Sequence, residues 1–258
     1  MASDRSGAGD PARTLALLWG VTAQEKPGRR GPRQAKSPAE IAAAAIAIAD
    51  AEGVEAVTMR RVAQELGVSP MALYTYVPGK AELLDLMLDT VFAAVPRSAP
   101  VDGGWRARAT AVADDNRALY RAHPWMAAVA TSRPPLGPGL MAKYEYELGA
   151  LEGTGLPDVE LDAALTHLLG FVETCARMAS DERAARQDSA MTDAQWWAAN
   201  AELLARVFDA GRYPVAARVG SAAGEAHGGA YSPDHAYAFG LARVLDGLAV
   251  LIEECREG

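Results

Sequence analysis

The sequence predicts an all-α protein. Apolar residues recur at the three- and four-residue spacings of helix faces, and no segment from Trp105 onward alternates with the two-residue period of a half-buried strand. Pro and Gly divide the chain into stretches of helix length. With 258 residues, 50% of them hydrophobic and 22% charged, the chain is large and apolar enough for one or two cores and is not a disordered sequence.

Residues 1–36 read as a flexible basic arm, because the prolines and glycines of Lys26 to Lys36 oppose a regular helix. Ser37 then opens the first helix: it caps, Pro38 fits the first turn, and Glu40 completes a capping box. Ile41, Ala45 and Ile48 share a face of this helix, and Gly53 stops it. Thr58 caps a short second helix, Met59 to Leu66, which Gly67 ends, and Ser69 with Pro70 starts a third helix three residues later. After the Pro78-Gly79 turn, a longer helix runs to Pro96 with Leu83, Leu84, Met87, Leu88 and Val91 in one stripe. Residues 97–104 are a joint. Further helices are predicted over 105–122, 124–132, 137–153, 158–179, 193–210 and 233–256, with a loop at 220–233.

Composition excludes several classes. Cys175 and Cys255 are far apart and outside any CxxC or Cys/His cluster, so neither a disulfide framework nor a zinc site is expected. His123, His167, His227 and His235 are scattered, and serine elbows, phosphate-binding glycine loops and paired carboxylates are absent. No enzyme, metal or cofactor is expected. Apolar runs fall short of a bilayer span and of a signal-peptide core, which points to the cytoplasm and to no membrane partner. The net charge of -8 would argue against a nucleic-acid partner, but residues 1–36 carry seven Lys or Arg against three Asp or Glu. The positive charge is gathered ahead of the first helix.

Residues 58–77 meet the requirements of a helix-turn-helix. Ala63 is small where two helices cross, Gly67 accepts a left-handed turn, and Val62, Leu66, Val68 and Leu73 fill the wedge. The second helix of the motif begins at Ser69, whose free backbone N–H groups can meet a phosphate, and projects Met71, Ala72, Tyr74, Thr75 and Tyr76. The competing reading is an ordinary helical hairpin within a larger core. Arg29, Arg30, Arg33 and Lys36 would be drawn to the minor groove, or would only keep a tether solvated.

Ile41 to Gly53, Val57 to Ala63, Leu66 to Val68, Ala72 to Val77 and Lys80 to Leu84 together resemble the DNA-binding domain of the tetracycline-repressor (TetR) family of transcriptional regulators. The resemblance implies an N-terminal three-helix helix-turn-helix DNA-binding domain over 37–83 and a C-terminal helical ligand-binding and dimerisation domain over 84–258. Carried over by position, it implies phosphate contacts for Thr58, Arg60, Tyr74 and Lys80, and base-facing positions for Met71, Ala72, Thr75 and Tyr76. Arg121 to Pro134, Leu165 to Cys175, Phe239 to Leu241 and Leu245 to Leu248 resemble the second domain of the tetracycline-repressor branch. Ala130 and Met178 fall where that branch has metal-binding residues, so the implied effector is bound without metal.

The partners so implied are a palindromic double-stranded DNA operator, a small apolar or aromatic effector and a second copy of the chain. One short recognition helix buries too little for specific affinity, which calls for a homodimer. Leu241, Leu245, Leu248 and Ile252 form the stripe expected at the dimer interface, and Tyr144, His167, Phe171, Arg177 and Trp196 are the residues expected to edge the effector pocket. The alternative class is an all-α enzyme or ligand carrier with a vestigial helix-turn-helix, which would have lost the arm or the exposed tyrosines.

Overall fold

The computed structural model describes residues 5–21, 36–97, 103–228 and 232–257. These form eleven α-helices: α1 (Pro11–Leu18), α2 (Pro38–Glu52), α3 (Met59–Glu65), α4 (Pro70–Tyr74), α5 (Lys80–Ala94), α6 (Gly104–Ala122), α7 (Pro138–Gly149), α8 (Asp158–Ser189), α9 (Asp193–Val207), α10 (Pro214–His227) and α11 (Pro233–Glu257). Short 3-10 segments lie at Val54–Ala56 and Pro124–Ala128. Among the described residues the sole β feature is a single bridge between Arg5 and Ala130.

The expected capping signals are realised. Ser37 and Glu40 close a capping box on α2, Thr58 Oγ1 accepts from the Arg61 N–H, and Ser69 Oγ accepts from the Ala72 N–H. Gly67 takes φ +66°, the left-handed conformation that the three-residue joint requires. One core gathers α2 to α5 with Leu18, Leu119, Trp125, Met126 and Val129, and a second gathers α6, α8 and α11 around Val112, Leu168 and Ile252.

Helix α5 lies at the centre. Every residue from Glu82 to Asp89 is buried, and the helix packs against α1, α2 and α7. Three of those buried residues are acidic, and each supplies acceptors to backbone N–H groups elsewhere. Glu82 accepts from Asp10 N (3.1 Å), Asp85 from Gly7 N (3.0 Å) and Ser6 Oγ (2.6 Å), and Asp89 from Leu140 N (2.8 Å) and Gly139 N (3.2 Å). Asp89 thereby caps α7, whose own N-cap, Gly137, has no side chain. The approach leaves no room: a Cβ on Gly139 would lie 2.0 Å from the Asp89 carbonyl oxygen. Burial raises the Asp85 and Asp89 carboxyls above the usual carboxylate range, and these hydrogen bonds oppose the rise.

Several sequence expectations are corrected. The basic arm does not extend over all of 1–36, because residues 5–21 are folded: Asp10 caps α1, and Leu18 enters the first core. Only one turn-rich stretch inside 1–36 breaks the helical pattern, and a short capped helix ahead of it was masked by that composition. The 220–233 stretch is mostly helix α10, since its glycines and alanines are tolerated within a helix that Gly228 ends at φ +66°. Helix α8 runs ten residues past the predicted end, and 124–132 is a 3-10 turn, not an α-helix.

The stripe Leu241, Leu245, Leu248 and Ile252 exists, but instead of standing free for a partner it is buried against α6 and α8 of the same protomer. Helix α11 also corrects the estimate of apolar runs: Pro233–Arg256 is long and apolar enough to cross a membrane (mean hydropathy 1.4), although Tyr237 and that leucine stripe pack it into the second core.

Replacing Asp89 with Ala should leave the buried Gly139 N–H and the half-buried Leu140 N–H without their acceptor and cost about 1–3 kcal/mol in denaturant unfolding. Asp89→Asn should show a pH signature. Because the folded-state value is raised, protonation of the native carboxyl stabilises wild type as pH falls. The stability of wild type relative to Asp89→Asn should therefore grow on acidification and level off below the ordinary aspartate value of 3.8 reached in the unfolded chain. A difference that shrinks with falling pH would contradict the desolvated carboxylate.

Candidate nucleic-acid interface and effector cleft

The motif presents an outward face on α4. Val62, Ala63 and Leu73 are buried, Leu66 and Val68 pack against them, and Met71 (75% exposed) and Tyr74 (45%) project into solvent. Thr75 is exposed, and its hydroxyl donates to the Ala72 carbonyl at 2.6 Å, so toward a base edge it offers its methyl group and an acceptor lone pair. Ala72 is partly covered, and Tyr76 packs partly on the first core. Thr58, Arg60 and Ser69 are exposed around the motif, and Lys80 opens α5. The hydroxyls of Thr58 and Ser69, used as acceptors by their caps, keep a proton to donate. Arg61 is differently placed: its guanidinium is held by Glu52 (3.1 Å) and Glu65 (2.7 Å), pairs that raise its pKa. Lys36 lies 3.6 Å from Glu40, and Arg29, Arg30 and Arg33 lie outside the described residues.

The predicted effector residues do not converge. Tyr144 is exposed and donates to Asp162 (2.6 Å), His167 sits on the exposed face of α8, and Trp196 is exposed on α9. Phe171 packs on the Gly240 backbone and stacks on Tyr237 with ring centroids 5.9 Å apart. Arg177 pairs with Glu173, donates to the Ala127 carbonyl (3.3 Å), and borders a cavity of about 350 Å³ between 127–130 and α8. The reason is rotational: helix phases around 144, 167 and 196 are fixed by packing partners that spacing alone does not name.

The structure instead forms a cleft of about 270 Å³ between α6, α8 and the start of α11. Arg117, Tyr120 and Arg121 line it from α6; Cys175, Ala176, Ala179, Glu182, Arg183 and Arg186 from α8; Pro233 closes it. Arg117 and Arg121 both reach Asp234 (2.5 and 2.9 Å), and the Arg117 guanidinium lies 3.9 Å above the Tyr237 ring. Burial raises the Tyr120 phenol and the Cys175 thiol above their usual ranges. The sequence signal for this wall was Arg117, Tyr120 and Arg121 at i, i+3 and i+4 on one helix face. The two domains also meet at Asp50 of α2, which lies 2.8 Å from His123 Nδ1 and accepts from Trp125 Nε1 at 2.8 Å.

A helix-turn-helix with an exposed second helix, joined through a buried helix to a larger helical domain with an internal cleft, defines a DNA-binding regulator class. Comparison with known proteins gives its family. Residues 41–87 match the family described as bacterial regulatory proteins, tetR family, and residues 96–252 match the tetracyclin repressor-like C-terminal domain. The chain is 44% identical over 256 residues to the HTH-type transcriptional repressor DrrR1 of Streptomyces coeruleorubidus, covering 98% of this chain and 91% of that one. Apo ActR of Streptomyces coelicolor superposes with a TM-score of 0.69 at 27% identity (86% of this chain, 99% of that one). ActR in complex with actinorhodin gives 0.70 at 28% (84% and 97%). The chain belongs to the TetR family of transcriptional regulators, whose members bind DNA and small molecules and are not enzymes.

Arg60→Ala should weaken binding to every duplex and lower the log–log salt slope by about 0.9, the signature of one lost phosphate contact. Met71→Ala should shift sequence preference instead, leaving the slope unchanged. Fluorescence anisotropy across a salt series separates the two; a Met71→Ala variant that retains the wild-type preference would remove that side chain from base recognition.

Proposed function

We propose that the protein is a homodimeric repressor that reads a palindromic operator with α3 and α4 and is released by an aromatic effector held in the α6–α8–α11 cleft. Arg29, Arg30, Arg33, Lys36, Thr58, Arg60, Ser69, Tyr74 and Lys80 are the proposed backbone-facing set, with Met71, Ala72, Thr75 and Tyr76 toward the bases. The observation that carries the effector assignment is the cleft wall itself: Tyr120 beside two arginines that share Asp234. An effector with an aromatic body and acidic or phenolic oxygens would stack on that wall and compete with Asp234 for Arg121, which is 61% exposed. The complex of ActR with actinorhodin supports a small-molecule ligand in this class of domain.

The dimer is placed on the faces of α8 and α11 that turn away from the second core. Ala163, Thr166, Gly170 and Thr174 lie exposed along α8, and Asp246, Gly247 and Val250 along α11, a surface of mostly small side chains that allows helices to approach closely. His167 sits on this surface. Helices α9 and α10 bury no side chain in their own protomer, and Trp197, Leu204, Phe208 and Val219 line an open groove of about 780 Å³ between them. Such apolar exposure fits a second copy of the chain. The cytoplasm is the matching location for a protein that meets DNA.

Enrichment from a random duplex pool should yield a palindrome with half-site centres about 34–36 Å apart; recovery of no preferred sequence would contradict the proposal. Thr166→Arg with Gly247→Arg should give a helical monomer in sedimentation that no longer holds the selected operator. Ala179→Trp, which fills the cleft, should remove any small molecule seen by native mass spectrometry in wild type while leaving operator binding intact. Retention of that ligand would move the site elsewhere.

A further inference from the structure

The segment 5–21 precedes both regions that match the family, 41–87 and 96–252, yet it touches each of them. On one side it is bonded to α5 within the DNA-binding half. Ser6 Oγ donates to Asp85 Oδ1 at 2.6 Å, Gly7 N donates to the same atom at 3.0 Å, and Asp10 N donates to Glu82 Oε1 at 3.1 Å. On the other side it is bonded to the segment 130–136 of the second domain: Ser6 N donates to the Ala130 carbonyl at 3.0 Å, and Trp19 Nε1 donates to the Leu136 carbonyl at 2.8 Å. At Gly7, with φ +68°, a Cβ would stand 2.7 Å from Arg133 Cβ and 3.0 Å from the Arg133 carbonyl oxygen, so the strand-like run fits only as glycine.

These contacts are a fastening more than a core. Leu18 and Thr14 are the buried residues of α1, whereas Leu15 and Trp19 are 40% and 51% exposed. A cavity of about 410 Å³ remains between α1 and residues 132–136. A few polar bonds over an incompletely filled contact hold with modest free energy and release as a unit. The far side of the fastened segment, at Ala127 to Ala130, borders the cavity against α8. The segment therefore bridges α5 and residues 130–136, beside the direct packing of α5 on α7.

We propose that residues 5–21 are a built-in strap that ties α5 to residues 130–136 and so holds the DNA-binding half in the disposition that fits the operator. Two recognition helices must be presented at a fixed separation. A protomer free to swing is competent for only part of the time, and its apparent affinity falls by that fraction. Every proposed DNA-facing residue, from Arg29 to Lys80, lies outside the strap, so any effect of the strap on DNA binding is indirect.

The test uses the full-length dimer and an operator selected from a random duplex pool. Gly7→Val, which the Arg133 backbone cannot accommodate, and a chain lacking residues 1–21, which keeps Lys26 to Lys36, should both remain helical dimers. Each should bind that operator about ten-fold more weakly, and amide exchange should quicken in 82–90 and 130–136. Ser6→Ala removes one hydroxyl and keeps the fold; it should move affinity and exchange in the same direction by less. The proposal is overturned if the folded variants bind with wild-type affinity, or if faster exchange stays within residues 5–21.

Discussion

The row of carboxylates on α5 is the constraint around which the molecule is arranged. A helix buried on all sides ordinarily carries apolar residues throughout, yet α5 keeps Glu82, Asp85 and Asp89 inside, at i, i+3 and i+7. Burying an acid without partners is costly, so the surroundings must bring donors to it. They do so with backbone N–H groups: Asp10 and Gly7 from the N-terminal segment, Gly139 and Leu140 from the start of α7. The acids thus dictate which segments lie against α5 and in what orientation. Glycine supplies the clearance this requires, since the α7 backbone at Gly139 runs directly over the Asp89 carbonyl.

That arrangement has a functional consequence, because α5 starts in the DNA-binding half and ends against the second domain. It closes the three-helix unit through Leu83 and Leu84, and it packs on α7 through its later turns. The Asp50 contacts with His123 and Trp125 add a second link between the halves. In the proposed function, these packed elements and hydrogen bonds are the route by which a displacement of α6 or α8 around the cleft would reach the recognition helices. For a two-state regulator, the effector need only bind one disposition better than the other.

Much of this was legible in the sequence, and the limits have physical reasons. Capping residues and turn glycines act locally, so Ser37, Thr58, Gly67 and Ser69 announced α2 to α4 within a residue or two. The stripe on α11 was equally legible as a stripe, but which surface covers it is a long-range matter, and Leu241 to Ile252 proved to face α6 and α8 of the same chain. The residues expected to edge the effector pocket do not converge for the same reason: His167 and Phe171 are four apart on α8, yet one faces outward and the other packs against Tyr237. Helix α1 was hidden by its neighbourhood of Gly, Pro and basic residues. Nothing local in the sequence marks the acids of α5 as buried, because their partners lie 50 to 79 residues away.

The most direct test of α5 as the mechanical link is the distance between the two recognition helices in the dimer. Nitroxides placed through Met71→Cys, an exposed position on α4, with Cys175 and Cys255 replaced by Ser, give that distance by electron double resonance. With the carboxylates of α5 intact, the account predicts a narrow distribution consistent with recognition helices about 34–36 Å apart. With Asp85→Ala and Asp89→Ala, it predicts a broad one. Equally narrow distributions in both proteins would show that the orientation of the DNA-binding half is fixed by something other than these acids.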